Sequence, residues 1–301
     1  MIQLLLNALS LTAAYSLLAM GFVLVLNATG AVNLAHGSFV IVGGLIAAAL
    51  GSWLGLPGIA LLPFVLVGMI VIGGGLALVA YYPLRDRPAV SVFISTISMG
   101  AILETASRML FGPSPRVAPP IVSSGSFQFG GVTIGIQAIS MVALAVVLVG
   151  AQYLILSRTT LGKRLRAVAE DREIAATLGI NVNAMILVTF GIAAALAGSA
   201  GLMFANTFYI TPGDGEAYMI KTYVAATMGG WGSLRGAVAG ALIVSVFEVL
   251  VPSLPVILPA VAGAQSLFSP TASTIWLYLA FLVVLFFRPQ GLFGEAVQQR
   301  A

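Results

Sequence analysis

The chain has 301 residues, of which 60% are hydrophobic and only 7% charged, with a formal net charge of +4. Ordinary soluble domains carry roughly 25% charged residues, so a soluble enzyme is excluded, and the positive charge is too diffuse to hold nucleic acid. Cysteine is absent and His36 is the single histidine, which leaves no thiolate or histidine-cluster metal site.

Arg85 is the first charged side chain; before it, His36 and the weakly acidic Tyr15, Tyr81 and Tyr82 are the only titratable side chains. Soluble domains place charges over their surfaces, and this uncharged stretch is long enough for about three spans of ~20 residues. Residues 61–80 are apolar on every face, unlike the alternating strands of an outer-membrane barrel. Backbone groups in lipid must be satisfied internally, which leaves helices. The expected fold is all-α, a polytopic transmembrane helical bundle of about eight spans, forming a single transmembrane domain over residues 1–301. No basic n-region or small-residue cleavage site marks the N-terminus, so the first helix is read as retained.

Candidate helices run over 2–26, 38–52, 59–82, 90–110, 134–156, 184–205, 218–228, 237–250 and 273–287. Segments 38–52 and 237–250 are short for a span, and 218–228 is shorter still. Such pieces point to interrupted or re-entrant helices, tolerated only inside protein or along a wet cavity. Dense small residues, as in Gly73-Gly74-Gly75 and 193–201, fit close helix packing and equally a smooth-walled pathway.

Basic residues cluster in three places: Arg85 and Arg87; Arg158, Lys163, Arg164, Arg166 and Arg172; and Arg288 with Arg300. The positive-inside rule makes these loops and the C-terminus cytoplasmic. Segments 111–131 and 207–216 then face outward, and the first of them, rich in Pro, Ser and Gly, reads as loop. The chain is expected in a membrane, surrounded by lipid.

Segment 159–181 is the only long polar stretch. Residues 165–178 are good helix formers and Gly179 is a natural terminator. Lys163 and Arg164 would sit badly at a helix N-terminus, so they are read as headgroup anchors of the preceding span. The expected short helix carries Arg166, Glu170, Asp171, Arg172 and Glu173 on one side. Ala167, Val168, Ala175 and Leu178 lie on the other, a surface suited to docking on another protein or to lying at the membrane surface.

Several motifs then carry a resemblance: Tyr15-Ser16-Leu17-Leu18-Ala19-Met20-Gly21; Asn33-Leu34-Ala35-His36-Gly37; the run from Gly162-Lys163 through Arg166-Ala167, Ala169-Glu170-Asp171 and Ala175 to Leu178-Gly179-Ile180-Asn181; Ala197-Gly198 with Gly201; Lys221 with Gly229-Gly230-Trp231-Gly232-Ser233 and Gly236; and Arg288-Pro289-Gln290-Gly291-Leu292-Phe293-Gly294. In this order they resemble the branched-chain amino acid ABC importer permeases, of the shorter, LivH-like type, over almost the whole chain. The outer loop 112–131 aligns with no motif.

The resemblance implies an ATPase-coupling segment carrying Arg166, Ala167, Glu170, Asp171, Ala175 and Gly179. It also implies a second, homologous permease forming a heterodimer, two ABC ATPase subunits holding ATP and Mg, and an extracytoplasmic solute-binding protein. This chain itself would bind no cofactor.

Candidates for the translocation path are Asn33, His36 and Gly37, where an apolar segment is interrupted, and Lys221, Gly229 and Gly230 in the second half. Asn33 and His36 offer hydrogen bonds to backbone freed at a break, and Gly37 permits it, so a purely structural role fits them too. Glu104 and Arg108, spaced i, i+4, are expected to pair near the outer end of their helix. Glu248 has no local partner and is expected near a helix end or against a partner subunit.

No phosphate-loop motif, zinc-protease histidine pair or carboxylate cluster is present, so the chain reads as a transport subunit, not an enzyme. A proton relay of intramembrane acids or histidines is also missing, which favours an external energy source. The leading expectation is the pore-forming permease of an ATP-driven importer for branched-chain or related amino acids. The alternatives are an ABC permease for urea or short amides, or a stand-alone channel or ion-coupled carrier.

Overall fold

The computed structural model describes residues 2–129, 132–258, 263 and 266–293. Eleven α-helices are found among them: α1 (Ile2–Thr29), α2 (His36–Leu54), α3 (Gly58–Leu76), α4 (Ala89–Phe111), α5 (Ile136–Arg158), α6 (Thr160–Glu170), α7 (Arg172–Thr177), α8 (Val182–Thr207), α9 (Gly215–Gly229), α10 (Leu234–Ile257) and α11 (Pro270–Phe287). Eight segments are long and apolar enough to cross a membrane. The chain is an all-α polytopic membrane protein.

Central and peripheral helices separate by burial. The most apolar window of α1 is 94% buried and that of α8 is 83%, against 17% for α4 and 11% for α11. Apolar side chains on the outer helices, such as Phe64, Val71, Phe286 and Phe287, stay exposed, as a lipid-facing surface requires. Small residues let the central helices close on one another. A Cβ on Gly43 would run into Gly198, one on Gly201 into the Val40 carbonyl, and one on Gly73 would lie 2.5 Å from Ala194. Gly75 has nothing within 4 Å, so the Gly73-Gly74-Gly75 run packs through its first member.

α2 is longer than the sequence pattern implied, and α10 is a full-length helix with Pro252 and Pro255 inside its last turns. α9 alone is short: its 15 residues reach about 22 Å at ~1.5 Å per residue. α3 passes through a π-helical turn, Ala77–Tyr81, and a 3-10 turn, Tyr82–Leu84, before Arg85.

Segment 111–131 is not wholly loop. Ser126–Phe129 pairs antiparallel with Val132–Gly135, a hairpin too short to show periodicity. Arg116 and Ile210 exchange backbone hydrogen bonds of 3.0 and 2.8 Å, which fasten this segment to the α8–α9 connection.

The basic loops lie at one end of the bundle. Arg172 Nη1 donates to Tyr81 Oη at 3.2 Å, Arg85 Nη1 to Asn183 Oδ1 at 2.5 Å, and Asn27 Nδ2 to the Gly232 carbonyl at 2.8 Å. Arg235, at the start of α10, joins that end. Leu292 and Phe293 donate backbone hydrogen bonds to Met228 and Gly229 at 2.8 and 2.9 Å, which brings the Arg288 segment there as well. Arg300 and Gly294 lie outside the described residues.

Candidate translocation site and coupling surface

After α1 the chain turns back into the bundle. The His36 ring meets the Leu18 carbonyl at 3.0 Å through Nε2, and Leu18 lies about 16 Å up the α1 axis from Thr29 at ~1.5 Å per residue. α2 therefore begins deep inside, and residues 30–35 form the connection between the two helices. A carbonyl only accepts, so Nε2 carries the proton. Asn33 Oδ1 accepts from Ala35 N at 3.1 Å, and Thr96 Oγ1 of α4 accepts from Leu34 N at 3.2 Å. The motif residues thus satisfy backbone exposed by the break. Among the described residues, His36 Nδ1 and Asn33 Nδ2 have no hydrogen-bond partner.

Gly37 makes the second broken helix possible. A Cβ there would collide with the Gly215 carbonyl and lie 2.7 Å from Met219 N. The N-termini of α2 and α9 consequently meet. Glu104 of α4 sits at that junction: its Oε1 accepts from Ser38 Oγ at 3.1 Å, and a Cβ on Gly215 would overlap the same oxygen. Two helix N-termini carry partial positive charge toward this carboxylate.

Glu104 and Arg108 do pair, with Oε2 and Nη2 4.0 Å apart. The shorter contacts lead elsewhere, Glu104 to Ser38 and Arg108 Nε to the Pro212 carbonyl at 2.9 Å. The pair binds α4 to the segment leading into α9 as much as to itself.

Lys221 projects from α9 onto Glu248 of α10, with Nζ 2.6 Å from Oε1. The Tyr15 hydroxyl donates to Glu248 Oε2 at 2.7 Å and accepts from Lys221 at 3.3 Å. Glu248 has no partner close by in sequence, as expected, and finds its partners within this chain and not on another subunit; residues far apart in the chain meet only because α1, α9 and α10 pack together. Glu248 also borders a cavity of about 520 Å³ with Asn7, Ser10, Gln137, Asn206 and Thr207.

Gly229 and Gly230 stand at the α9–α10 joint. A Cβ on Gly229 would strike the Gly236 carbonyl, and Gly230 has a φ of 128°. Close packing and an unusual backbone angle account for glycine at both places.

The coupling segment differs in detail from the expected single helix. It divides at Asp171, which ends α6 and caps α7: Oδ1 accepts from Glu173 N at 2.8 Å and Ile174 N at 2.9 Å. Lys163 and Arg164 belong to α6, not to the end of α5, because Thr159 starts a new helix by accepting from Gly162 N at 3.0 Å. A Cβ on Gly162 would overlap the Ile155 and Leu156 carbonyls, so α6 folds tightly against the end of α5. Leu165, Val168 and Ala175 are buried, Ala167 is partly buried, and Arg166 and Glu170 are exposed. Leu178, expected with the apolar face, is 73% exposed beside Ile174 at 59%. Gly179 closes α7 with a φ of 79°. Among the described residues no group of three or more His, Cys, Asp or Glu could hold a metal ion.

The family model for the branched-chain amino acid transport system permease component matches residues 4–288. The chain is 32% identical over 308 residues to the high-affinity branched-chain amino acid transport system permease protein BraD of Pseudomonas aeruginosa, covering 98% of this chain and 96% of BraD. It is 29% identical over 310 residues to the permease protein LivH of Escherichia coli K12, with the same coverage of 98% and 96%. A probable LivH of Methanocaldococcus jannaschii is 31% identical over 246 residues, 78% of this chain and 76% of that protein. With a family match running from the first helix to the last, this chain belongs to the branched-chain amino acid transport permease family.

Proposed function

We propose that this chain is the membrane-spanning permease subunit of an ATP-driven importer and that its cargo is branched-chain amino acids. The match to the permease family over residues 4–288 carries this reading. The exposed Ile174 and Leu178 beside Glu170, Asp171 and Glu173 support a docking surface for an ATPase subunit. The positive-inside rule supports placing that end, and the C-terminus, in the cytoplasm. A related permease, two ATPase subunits binding ATP and Mg, and an extracytoplasmic binding protein complete the proposed assembly.

Mechanistically, closure of the ATPase pair would displace α6 and α7. Rigid packing between α1, α2 and α8 would pass that displacement to the junction of α2 and α9 and change which side of the path is open. Among residues proposed to border the path are Asn33, His36, Gly37 and Lys221, since they stand at or beside the two broken helices.

The test is reconstitution of the chain with its neighbouring-gene ATPases, permease and binding protein in vesicles. ATP-dependent accumulation of labelled leucine is the expected result; uptake without ATPase subunits would favour a stand-alone carrier.

A further inference from the structure

α2, α4 and α9 line a half-open cavity of about 400 Å³ next to the helix junction. Leu34, Ile97, Met219 and Ile220 form apolar wall, while Glu104 and Glu216 place two carboxylates in it. Ser38, only 3% exposed, anchors Glu104 from below. Glu216, in the first turn of α9, has no ion pair among the described residues. Arg108 stands one turn beyond Glu104, half-exposed, 4.0 Å from its Oε2 and tied through Nε to Pro212. Gly100 lets α4 pack closely on the start of α2, since a Cβ there would sit 3.1 Å from Ser38 Oγ.

We infer that this cavity is a transit site for the ammonium end of an aliphatic amino acid, with Glu104 and Glu216 as its receiving carboxylates. The inference rests on the permease reading and names how the path would recognise its solute. An aliphatic side chain finds apolar wall at Ile97, Met219 and Ile220. The ammonium faces two acids on the cavity wall. The solute carboxylate is left toward Arg108, whose guanidinium suits a carboxylate. Ser38 Oγ donates to Glu104 from one side, and the Glu104 ion pair with Arg108 is long at 4.0 Å, which leaves the carboxylate open to a second cation.

Native cysteine is absent, which permits a direct test on the whole assembled complex. Ala101→Cys puts a thiol on the cavity wall. Labelling of this chain by cationic and anionic methanethiosulfonate reagents is followed by mass. The cationic reagent should react about tenfold faster, the scale on which a charged cleft enriches counter-ions. That preference should fall toward one with Glu104→Gln and Glu216→Gln added. Because Glu216 is exposed, Glu216→Gln alone tests the charge effect should the double variant fail to assemble.

Leucine and isoamylamine should slow labelling, and 4-methylpentanoate, which lacks the ammonium, should not. Equal labelling rates, or protection by the acid alone, overturn the site. Intact ATP-driven uptake with no protection by leucine also overturns it while leaving the permease reading in place. Failed uptake by the unsubstituted complex removes the permease reading, and the labelling ratios still decide the charge of the cavity.

Discussion

Lys221 Nζ and Glu248 Oε1 are 2.6 Å apart, with 18% and 31% of their side chains exposed. The pair bridges the short helix α9 to α10, and Tyr15 of α1 completes it on the third side. An ionised group at membrane depth is tolerated when paired, and its partner becomes costly once left alone. Lys221→Met should therefore destabilise the purified protein by on the order of 2–3 kcal/mol. Lys221→Met combined with Glu248→Gln should recover most of that loss. Thermal midpoints in detergent, read by size-exclusion chromatography, compare the single and double variants; no recovery in the double variant would reject the pair as the source of the effect.

The junction of α2 and α9 depends on one missing side chain. Gly37→Ala would push a methyl into the Gly215 carbonyl and Met219, and overpacking of this kind costs about 1–3 kcal/mol. Gly75→Ala meets nothing within 4 Å and should leave the thermal midpoint unchanged. Equal effects at both glycines would show that helix propensity, not contact, governs the site.

Asp171 caps α7 through two backbone amides. Replacing an N-cap aspartate with alanine costs ~1 kcal/mol, whereas asparagine keeps the acceptor. Amide exchange over residues 172–178 should accelerate about fivefold in Asp171→Ala and stay near the original rate in Asp171→Asn. Uniform exchange in all three proteins would show that the cap does not hold the segment.

The broad architecture was legible because hydropathy and charge act locally. Eight spans follow from uninterrupted apolar length, and the break at Asn33–Gly37 follows from polar residues and glycine in an apolar run. The i, i+4 spacing of Glu104 and Arg108 also announces a pair. What it conceals is that each group has a shorter contact outside its own helix. Nothing local connects Glu248 to Lys221 or Tyr15, because three packed helices bring them together. The division at Asp171 did leave a signal: aspartate is a strong N-cap, and Thr159 offers the same signal for α6. Helix-forming neighbours masked both. The depth of α2 needed Leu18 and Gly215 in view, since re-entry is set by tertiary contact.

Leu178 is 73% exposed and Ile174 59% exposed, so neither contributes much to the fold of this chain alone. Under the proposed function they meet the ATPase subunit. Leu178→Glu should leave the thermal midpoint of the isolated permease unchanged and reduce co-purification of the ATPase at least tenfold, the scale of a lost apolar anchor. Undiminished co-purification would place the motor elsewhere on the surface.

Arg172 joins this docking segment to the membrane helices through Tyr81, which is 2% exposed and closes the π-helical turn of α3. A π turn is a place where a helix has already given up regular hydrogen bonding, and such turns often coincide with moving parts. Displacement of α7 would therefore pull on α3 at its most adjustable point. Tyr81→Phe keeps the ring packed against Phe190, whose centroid is 5.6 Å away, and removes only the hydroxyl. The expected outcome is normal assembly and ATP turnover with leucine uptake per ATP reduced roughly tenfold or more, matching the net worth of ~1.5–3 kcal/mol for one hydrogen bond to a charged group. Arg172→Lys should be intermediate, since an ammonium reaches the hydroxyl without the guanidinium's fixed fork. Uptake and ATP hydrolysis measured in the same vesicles separate a lost transmission step from a lost binding surface: the first lowers their ratio, the second lowers both together.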